Sequence, residues 1–316
     1  MIFSKNIEGI LPYLKNIKGK KIGIKVHFGE KGNISYLKPE FIKKIYNEVK
    51  KNNPSSEINL IECNVLYKSD RSETKSHIKL AREHGFDMPI KILDKEQEIE
   101  INGKHFKKIK IGSIEDYDCL LVVSHVKGHI MTGFAGAMKN LGMGLASRAG
   151  KLALHSNSCP VVNQKKCVAC GKCARECPVQ AINLNEKAVI DCKKCIGCAH
   201  CINTCPEEAI NPPWGSVSSE SLQEKIVEYA YGIYNHKKCY FINALINITK
   251  DCDCMGKKMK KEAEDIGYLY SEDMLKIDEE SYNLIEKQNL GLFKNMNPRT
   301  SPRHQIEYAK EGKWQG

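Results

Sequence analysis

The stretch YDCLLVVSHV, residues 117–126, decides the fold class, because it is a continuous apolar run and not an alternating one. A strand that is apolar on both faces belongs inside a sheet that helices cover on both sides. Around this run the chain alternates strand-like segments with amphipathic segments at helical spacing. Strands and helices in alternation predict an α/β fold with a mainly parallel sheet.

The segments on either side supply this alternation. Further strands are predicted at KKIGIKVHFG (20–29), EINLIEC (57–63) and KCYFINALINI (238–248). Helices are predicted at PEFIKKIYNEVKKN (39–52), TKSHIKLAREHGF (74–86) and SLQEKIVEYAYGIYN (221–235). The last helix opens on a capping box of Ser221 and Glu224. DIGYLYSEDMLKIDEESYNLIEK (265–287) has the pattern of a strand, a turn and a helix.

A cysteine-rich segment, residues 160–212, interrupts the alternation, which resumes beyond it. We therefore predict a discontinuous α/β domain made of residues 1–159 and 213–290. An α+β ferredoxin module with two clusters is predicted to be inserted at residues 160–212. Residues 291–316 are predicted to form a peripheral C-terminal helix and a tail.

The inserted segment contains the pattern C-x2-C-x2-C-x3-C-P twice, beginning at Cys167 and at Cys195. In such runs three cysteines bind one 4Fe-4S cluster and the fourth binds the other cluster. The predicted ligands of the first cluster are Cys167, Cys170, Cys173 and Cys205. Those of the second are Cys195, Cys198, Cys201 and Cys177. A pair of zinc sites fits poorly, because zinc sites seldom use three cysteines at this spacing. Cys192 is predicted to have no role.

The 15 cysteines do not read as a disulfide framework, because a chain of 316 residues can bury a core without such bridges. The N-terminal sequence MIFSKNIEGILPYLKNIKGKK lacks the apolar core of a signal peptide, and no apolar run is long enough to cross a bilayer. We expect a cytoplasmic protein that has no membrane partner. Its thiols are expected to be reduced and to bind metal. The many Lys, Ile and Asn residues suggest an anaerobe.

The net charge of +11 is concentrated in the first half of the chain. Residues 1–162 hold 27 Lys and Arg against 17 Asp and Glu, whereas residues 163–316 hold 22 against 21. The lysines alternate with acidic residues and no nucleic-acid-binding motif accompanies them, so nucleic acid is not favoured as a partner. The simplest interpretation of this excess charge is a lysine-rich surface exposed to solvent. The alternative is a surface that binds an acidic redox protein partner.

A glycine-rich motif, TGFAGAMKNLGMG (132–144), follows the buried run. It is therefore expected at the carboxyl edge of the sheet, where open α/β folds bind ligands. It is neither a Walker nor a Rossmann motif. The candidate residues for binding an anion or small anionic substrate are Lys127, His129, Thr132, Gly133, Lys139 and Asn140. The alternative is that the glycines only permit tight packing.

Two further cysteines, Cys252 and Cys254, lie in the sequence DCDC just past a predicted strand. In an extended segment their side chains point the same way. They could form a third metal or cluster site, with Cys63 or His27 as candidate partners. A redox-active dithiol and the absence of any chemistry are the alternatives.

Most of the chain resembles the family called domain of unknown function 362, an iron-sulfur protein family without an assigned reaction. The resemblance is carried by residues 24–40, 62–86, 126–156 and 248–254 together with the inserted ferredoxin. It implies electron transfer through the clusters. At a looser level the run of histidine, glycines and lysine is similar to that of the nickel-pincer racemases.

Three functions are compatible with these patterns. The first is an electron carrier whose two 4Fe-4S clusters relay electrons to or from a redox partner. The second is an oxidoreductase in which the clusters serve a third metal or cluster site at Cys252 and Cys254, beside the glycine-rich loop. The third is a maturation factor that passes a metal or a cluster to another protein.

Overall fold

The computed structural model describes residues 1–312. In chain order its strands are β1 (Ile2–Ser4), β2 (Lys21–Lys25), β3 (Glu57–Glu62), β4 (Ile90–Ile92), β5 (Glu96–Glu100), β6 (Lys108–Gly112), β7 (Cys119–His125), β8 (Lys127–His129), β9 (Gly133–Ala135), β10 (Val161–Val162), β11 (Ile182–Leu184), β12 (Ala188–Ile190), β13 (Ile210–Asn211), β14 (Lys238–Leu245) and β15 (Gly267–Ser271).

The α-helices follow the same order along the chain. They are α1 (Pro39–Asn52), α2 (Thr74–Glu83), α3 (Ala137–Leu145), α4 (Arg148–His155), α5 (Lys172–Arg175), α6 (His200–Thr204), α7 (Ser219–His236), α8 (Met274–Gln288), α9 (Leu292–Met296) and α10 (His304–Glu311). Short 3-10 helices occupy Ile7–Gly9 and Leu11–Asn16.

Within residues 1–312 the central sheet has seven strands in the order β1-β15-β14-β7-β2-β3-β4. Strands β14, β7, β2, β3 and β4 are parallel to one another. Strand β15 is antiparallel to β14, and β1 is antiparallel to β15. The predicted α/β fold with a mainly parallel sheet is confirmed.

Strand β7 contributes to two apolar cores, one on each face of the sheet. Leu120 and Val122 pack into the core formed with α3, α7 and α8. Leu121 and Val123 pack into the core formed with α1. Successive strand residues point to opposite faces, which is why a fully buried strand shows no polar alternation.

Helix α1 has the predicted bounds. Pro39 stands at its first position, where the missing amide hydrogen is not needed, and Ile42, Ile45 and Val49 bury one face. The predicted start of α7 is wrong. Ser218 and not Ser221 caps this helix, because the Ser218 side chain accepts a hydrogen bond from the Ser221 amide.

The segment 160–212, here called the cysteine-rich module, forms a separate small apolar cluster with short strands and helices of its own. Strand β14 follows this module in sequence, yet it pairs with β7, which precedes it. The central sheet is therefore assembled from both sides of the insertion. The module begins with β10 and ends with β13, and these two strands pair with each other.

Helix α10 packs against α7 and α8 and buries Ile306 and Tyr308. The end of the predicted tail, residues 313–316, lies outside the described residues. In the part of the chain that the structure describes, no helix has the length and apolar character that a membrane span needs.

Candidate functional site

The cysteine-rich module contains two small cavities, and each is lined by cysteines from both halves of the repeat. The first cavity is lined by Cys167, Cys170, Cys173 and Cys205. The second is lined by Cys177, Cys195, Cys198 and Cys201. Each group combines three neighbouring cysteines of one run with the last cysteine of the other run. The structure thus brings together the same two sets of four that the motif predicts.

The backbone around the two cavities repeats the same conformation. Ala169 and Gly197 occupy equivalent positions and have φ angles of 55° and 68°. Gly171 and Ala199 are also equivalent, with φ angles of 73° and 60°. A positive φ is unfavourable for any residue with a Cβ atom, so these four positions favour glycine, and the two alanines adopt the conformation at a cost.

Backbone amides donate to sulfur at equivalent points of the repeat. The Ala181 amide lies 3.2 Å from the Cys177 sulfur, and the Ala209 amide lies 3.3 Å from the Cys205 sulfur. Amide hydrogen bonds of this kind stabilise a thiolate and tune the potential of a cluster bound to it. The sulfur environment therefore fits an iron-sulfur cluster in both cavities.

A larger cavity of about 410 Å³ lies in the α/β domain, at the carboxyl edge of its parallel strands. Its wall is formed by segments that follow β2, β3, β7 and β14, by α3 and α4, and by the chain just after the module. Among the lining residues predicted from sequence are His27, Lys127, His129, Lys139, Asn140, Cys252 and Cys254. The glycine-rich loop and the DCDC segment therefore meet at one site.

Leu66 connects this cavity with the module. It lines the cavity, and it also packs in the same apolar cluster as Cys167, Cys173 and Cys205. Leu152 on α4 belongs to that cluster too. One wall of the cavity is therefore shared with the core that surrounds the first cysteine set.

The structure joins Cys252 and Cys254 in a disulfide, with their Cα atoms 5.3 Å apart. Both residues line the cavity. The two sulfurs are consequently available to a metal only after this bond has been reduced. A metal at this pair stays a prediction of the sequence.

Cys63, a predicted partner at the third metal site, and His125, which lies nearby, are both otherwise engaged. Glu62 lines the cavity, and the next side chain, that of Cys63, points the opposite way into the apolar core. The Cys63 thiol donates to the Leu145 carbonyl oxygen. The prediction of Cys63 as a partner is thus corrected. Both ring nitrogens of His125 are occupied, one by Asp253 and the other by backbone carbonyl oxygens. Among residues 1–312, no three His, Cys, Asp or Glu side chains converge on the position of a single metal ion. This holds for the two cysteine sets as well, which line their cavities without meeting at one point.

Asp253, between the two cysteines, anchors the DCDC segment. Its carboxylate lies 2.7 Å from the Lys127 ammonium group and 3.1 Å from the His125 ring. Burial acts to raise the pKa of Asp253, but Lys127 and His125 outweigh it and hold the pKa well below its ordinary value. The segment is therefore fixed by a buried ionic contact to the end of β7 and the start of β8.

A second buried ionic network centres on Glu62 at the end of β3. Its carboxylate accepts a hydrogen bond of 2.6 Å from Arg71 and lies 3.9 Å from the Lys25 ammonium group. Burial acts to raise the pKa of Glu62, but the adjacent cations, Arg71 foremost, hold it well below its ordinary value. Sequence reasoning missed this network, although Lys25 and Glu62 are charged residues at the ends of otherwise apolar strands.

The candidates from the glycine-rich motif divide into two groups. His129, Lys139 and Asn140 line the cavity, and Lys127 lines it while paired with Asp253. Thr132 and Gly133 do not line it. The Thr132 hydroxyl donates to the Phe134 carbonyl oxygen.

Some glycines of the motif serve packing, as the alternative interpretation held. A Cβ atom on Gly142 would lie 2.4 Å from the Ile226 carbonyl oxygen of α7, so this glycine allows α3 and α7 to approach closely. Gly144, by contrast, lines the cavity. The motif thus supports both the packing of α3 on α7 and the cavity wall.

The prediction that Cys192 has no role is corrected. Cys192 forms a disulfide with Cys159, which ties the middle of the module to the chain at its entrance. Cys119 and Cys239 are buried within β7 and β14, where burial raises the pKa of both thiols. These two cysteines therefore pack as buried side chains of the central sheet.

A comparison with family models places the chain. Residues 22–283 match the family described as domain of unknown function (DUF362), which is most of the chain. The chain belongs to this family. The resemblance to this family that was noted from the sequence is confirmed as family membership. No curated protein matches the chain at a significant level.

Two solved structures are distantly similar to this DUF362 protein. A Thermotoga maritima protein determined as a structural-genomics target has a TM-score of 0.46 and 11% identity, over 91% of this chain and 61% of that one. The lactate racemase apoprotein from Thermoanaerobacterium thermosaccharolyticum has a TM-score of 0.37 and 13% identity, over 77% of this chain and 50% of that one. The DUF362 chain thus spans between half and two thirds of the length of these proteins, and neither likeness carries a functional argument.

Proposed function

We propose that this DUF362 protein is an iron-sulfur electron-transfer protein that holds two 4Fe-4S clusters in its cysteine-rich module. The proposal depends on one observation: each module cavity is lined by three cysteines of one run and the last cysteine of the other run. These are the four cysteines that the double motif assigns to one cluster. When bound, the clusters supply single electrons. The protein residues supply the thiolates, and their backbone amides donate to sulfur.

The test is anaerobic purification with iron and acid-labile sulfide analysis, followed by electron paramagnetic resonance of the reduced protein. We expect about eight irons per chain and signals from two interacting clusters. The Cys170→Ser/Cys198→Ser variant, which removes one thiol from each set, is expected to lose both signals. Zinc in place of iron would overturn the proposal.

The same analysis on the Cys252→Ser/Cys254→Ser variant separates the module from the third site predicted from sequence. An unchanged count of about eight irons, with no other metal lost, would exclude a metal at this pair. Iron, nickel or zinc that is present in the wild type and missing from the variant would establish one.

The shared wall at Leu66 favours a second function, an oxidoreductase whose substrate site is the α/β cavity. A cavity that adjoins the core of the module places its occupant within reach of the proposed electron source. The cavity also holds a group on which this can be tested, the Cys252–Cys254 disulfide. Its reduction takes two electrons and two protons and yields two thiols.

The experiment counts free thiols after anaerobic photoreduction by a deazaflavin and removal of the reductant. We expect two additional thiols in the wild type, absent from the Cys252→Ser/Cys254→Ser variant. The Cys170→Ser/Cys198→Ser variant is expected to form them far more slowly. Equal rates in the wild type and this module variant would contradict electron delivery from the module to the cavity.

A further inference from the structure

We propose that the α/β cavity binds a small amphipathic carboxylate, whose carboxylate group is held by hydrogen bonds from His27, His129 and Lys139. This inference deepens the oxidoreductase function and rests on the proposal that the cavity is the substrate site. It concerns binding alone, so it can be tested separately from iron content and electron transfer.

The histidines are hydrogen-bond donors toward the cavity because of how the backbone holds them. The His27 Nδ1 atom accepts a hydrogen bond of 3.0 Å from the Gly29 amide. The His129 Nδ1 atom accepts one of 3.1 Å from the Thr132 amide. A ring nitrogen that accepts from N–H carries no hydrogen, so the hydrogen of the neutral ring is on Nε2. Neither Nε2 atom has a hydrogen-bond partner within residues 1–312.

Two cationic groups of the lining add unused donors. Within the described chain, Lys139 Nζ makes no hydrogen bond or ion pair with another residue. Arg71 uses Nη2 on Glu62, whereas its buried Nη1 atom makes no hydrogen bond there and lies 3.7 Å from the Glu30 carboxylate. A buried donor left unpaired is unfavourable by about 1–3 kcal/mol, so an acceptor brought by a ligand would be stabilised at this site.

The charge balance of the lining favours an anion. It includes four Lys or Arg residues (Arg71, Lys127, Lys139 and Lys151) against two carboxylates (Glu62 and Asp253). Both carboxylates are already engaged, Glu62 by Arg71 and Asp253 by Lys127. The site therefore offers donors and positive charge, and its carboxylates are not available to a cationic ligand.

Most of the remaining wall is apolar, which favours a ligand with an apolar part over a purely polar anion. Val26, Val123, Met131, Met143 and Val217 are among the lining residues. The volume of about 410 Å³ lies within the range of small-molecule sites. A ligand that matches both parts has one carboxylate and a hydrocarbon or aromatic body.

The affinity is expected to depend on pH through Lys139. Burial, and next repulsion by Lys127, lowers the pKa of Lys139 to about 7. The ammonium group is therefore lost as the pH rises through 7, and carboxylate affinity should fall between pH 6 and pH 9. The charged and titratable groups that face Lys139 are Lys25, Arg71, Lys127, His129, His155 and Asp253.

The test is anaerobic calorimetric titration of the iron-loaded full chain at pH 6.5. The probes are 3-phenylpropanoate, octanoate and indole-3-acetate, each beside its uncharged amide, and inorganic phosphate. We expect at least one carboxylate to bind at least tenfold more tightly than its amide. The Lys139→Met variant should weaken that binding about 10- to 100-fold and leave the amide unaffected, because a charge-assisted hydrogen bond is lost.

Two variants complete the experiment. Lys139→Arg is expected to restore most of the affinity, and Lys108→Met, which alters an exposed lysine paired with Glu98 and Glu100, is expected to change nothing. Failure of all three carboxylates to bind, equal binding of acid and amide, or binding of phosphate alone would overturn the inference. Failure to bind with a full iron count would leave the electron-transfer function standing. If the protein held zinc in place of iron and still bound the carboxylate, the electron-transfer function would be overturned, whereas the inference about carboxylate binding would stand.

Discussion

The cysteine-rich module and the α/β cavity are two candidate sites that the same chain builds in opposite ways. The eight cysteines of the two predicted cluster sets lie between residues 167 and 205, and a short repeated backbone conformation positions them. The cavity collects side chains from residue 26 to residue 254, and the order of strands in the sheet brings them together. Local spacing therefore specifies the first site, whereas topology specifies the second.

This difference predicts different responses to mutation. A thiol removed from the module should affect metal content while the sheet remains folded. A charged group removed from the cavity wall should affect the stability of the α/β domain, because buried ion pairs there join separate loops.

The largest expected effect is the loss of one cluster, and it tests whether the sets are crossed. Cys177→Ser and Cys195→Ser, from different runs, are expected to remove the same resonance signal and about half of the iron. Cys170→Ser should remove the other signal. If Cys177→Ser and Cys170→Ser removed the same signal, each run would bind its own cluster and the crossed assignment would be wrong.

A smaller but still large effect is expected from Asp253→Asn. Removing this charge leaves Lys127 buried without its partner, which should lower the free energy of unfolding by about 3–5 kcal/mol. Urea denaturation at pH 7 measures the loss. The control Asp116→Asn changes a carboxylate that is 82% exposed, and it should alter stability by less than about 0.5 kcal/mol. A similar small loss in Asp253→Asn would contradict the role assigned to this contact.

The pH dependence of Asp253 has a definite sign. Its pKa is lowered in the folded protein, so its stabilising contribution is present above the ordinary value of 3.8 and is lost as the pH falls below it. The wild type should therefore lose more stability than Asp253→Asn does when the pH is lowered from 5 to 3.

The contact between module and α/β domain should respond at an intermediate level. Leu152→Ala removes a buried side chain from the cluster around the cysteines and should lower stability by about 2–4 kcal/mol with iron content retained. Leu184→Ala, in the module strand β11, alters a side chain that is 41% exposed and serves as the control. Equal effects of the two substitutions would show that Leu152 does not hold the module in place.

The smallest of these effects is expected for Gly142→Ala. The added Cβ atom would meet the Ile226 carbonyl oxygen of α7, so α3 and α7 must move apart. This should lower the free energy of unfolding by about 1–3 kcal/mol. Thermal unfolding measures the change. An unaltered melting temperature would mean that the helices separate without loss and that this glycine is not needed for packing.

The fold was largely predictable because its main signals are local. The apolar run at 117–126 became β7, and residues 39–52 became α1 with the predicted bounds. The start of α7 was not predictable from the sequence, because Ser218 and Ser221 are the same residue type and are equally good helix caps. Tertiary contacts decide between them. Glu224, assigned to a cap from sequence, instead contacts Lys104 and His105 from the β5–β6 hairpin.

The cavity was predictable only in part. Parallel strands deliver their loops to one edge, so the meeting of Cys254 with Lys139 followed from the strand pattern. Which way a side chain points at a strand end does not follow from it, and Cys63 was misplaced for that reason. The network of Glu62, Arg71 and Lys25 depends on distances between loops that no short motif contains.

The pairing of β10 with β13 determines how the module is joined to the α/β domain. The module enters and leaves the α/β domain at adjacent points, so it is a closed loop that could be cut out and bridged by a tight turn. No strand of the central sheet would need to change its neighbours. Removing the insert would therefore leave the order of strands unchanged, and its effect on the cavity would fall on Leu66, which packs in the core of the module.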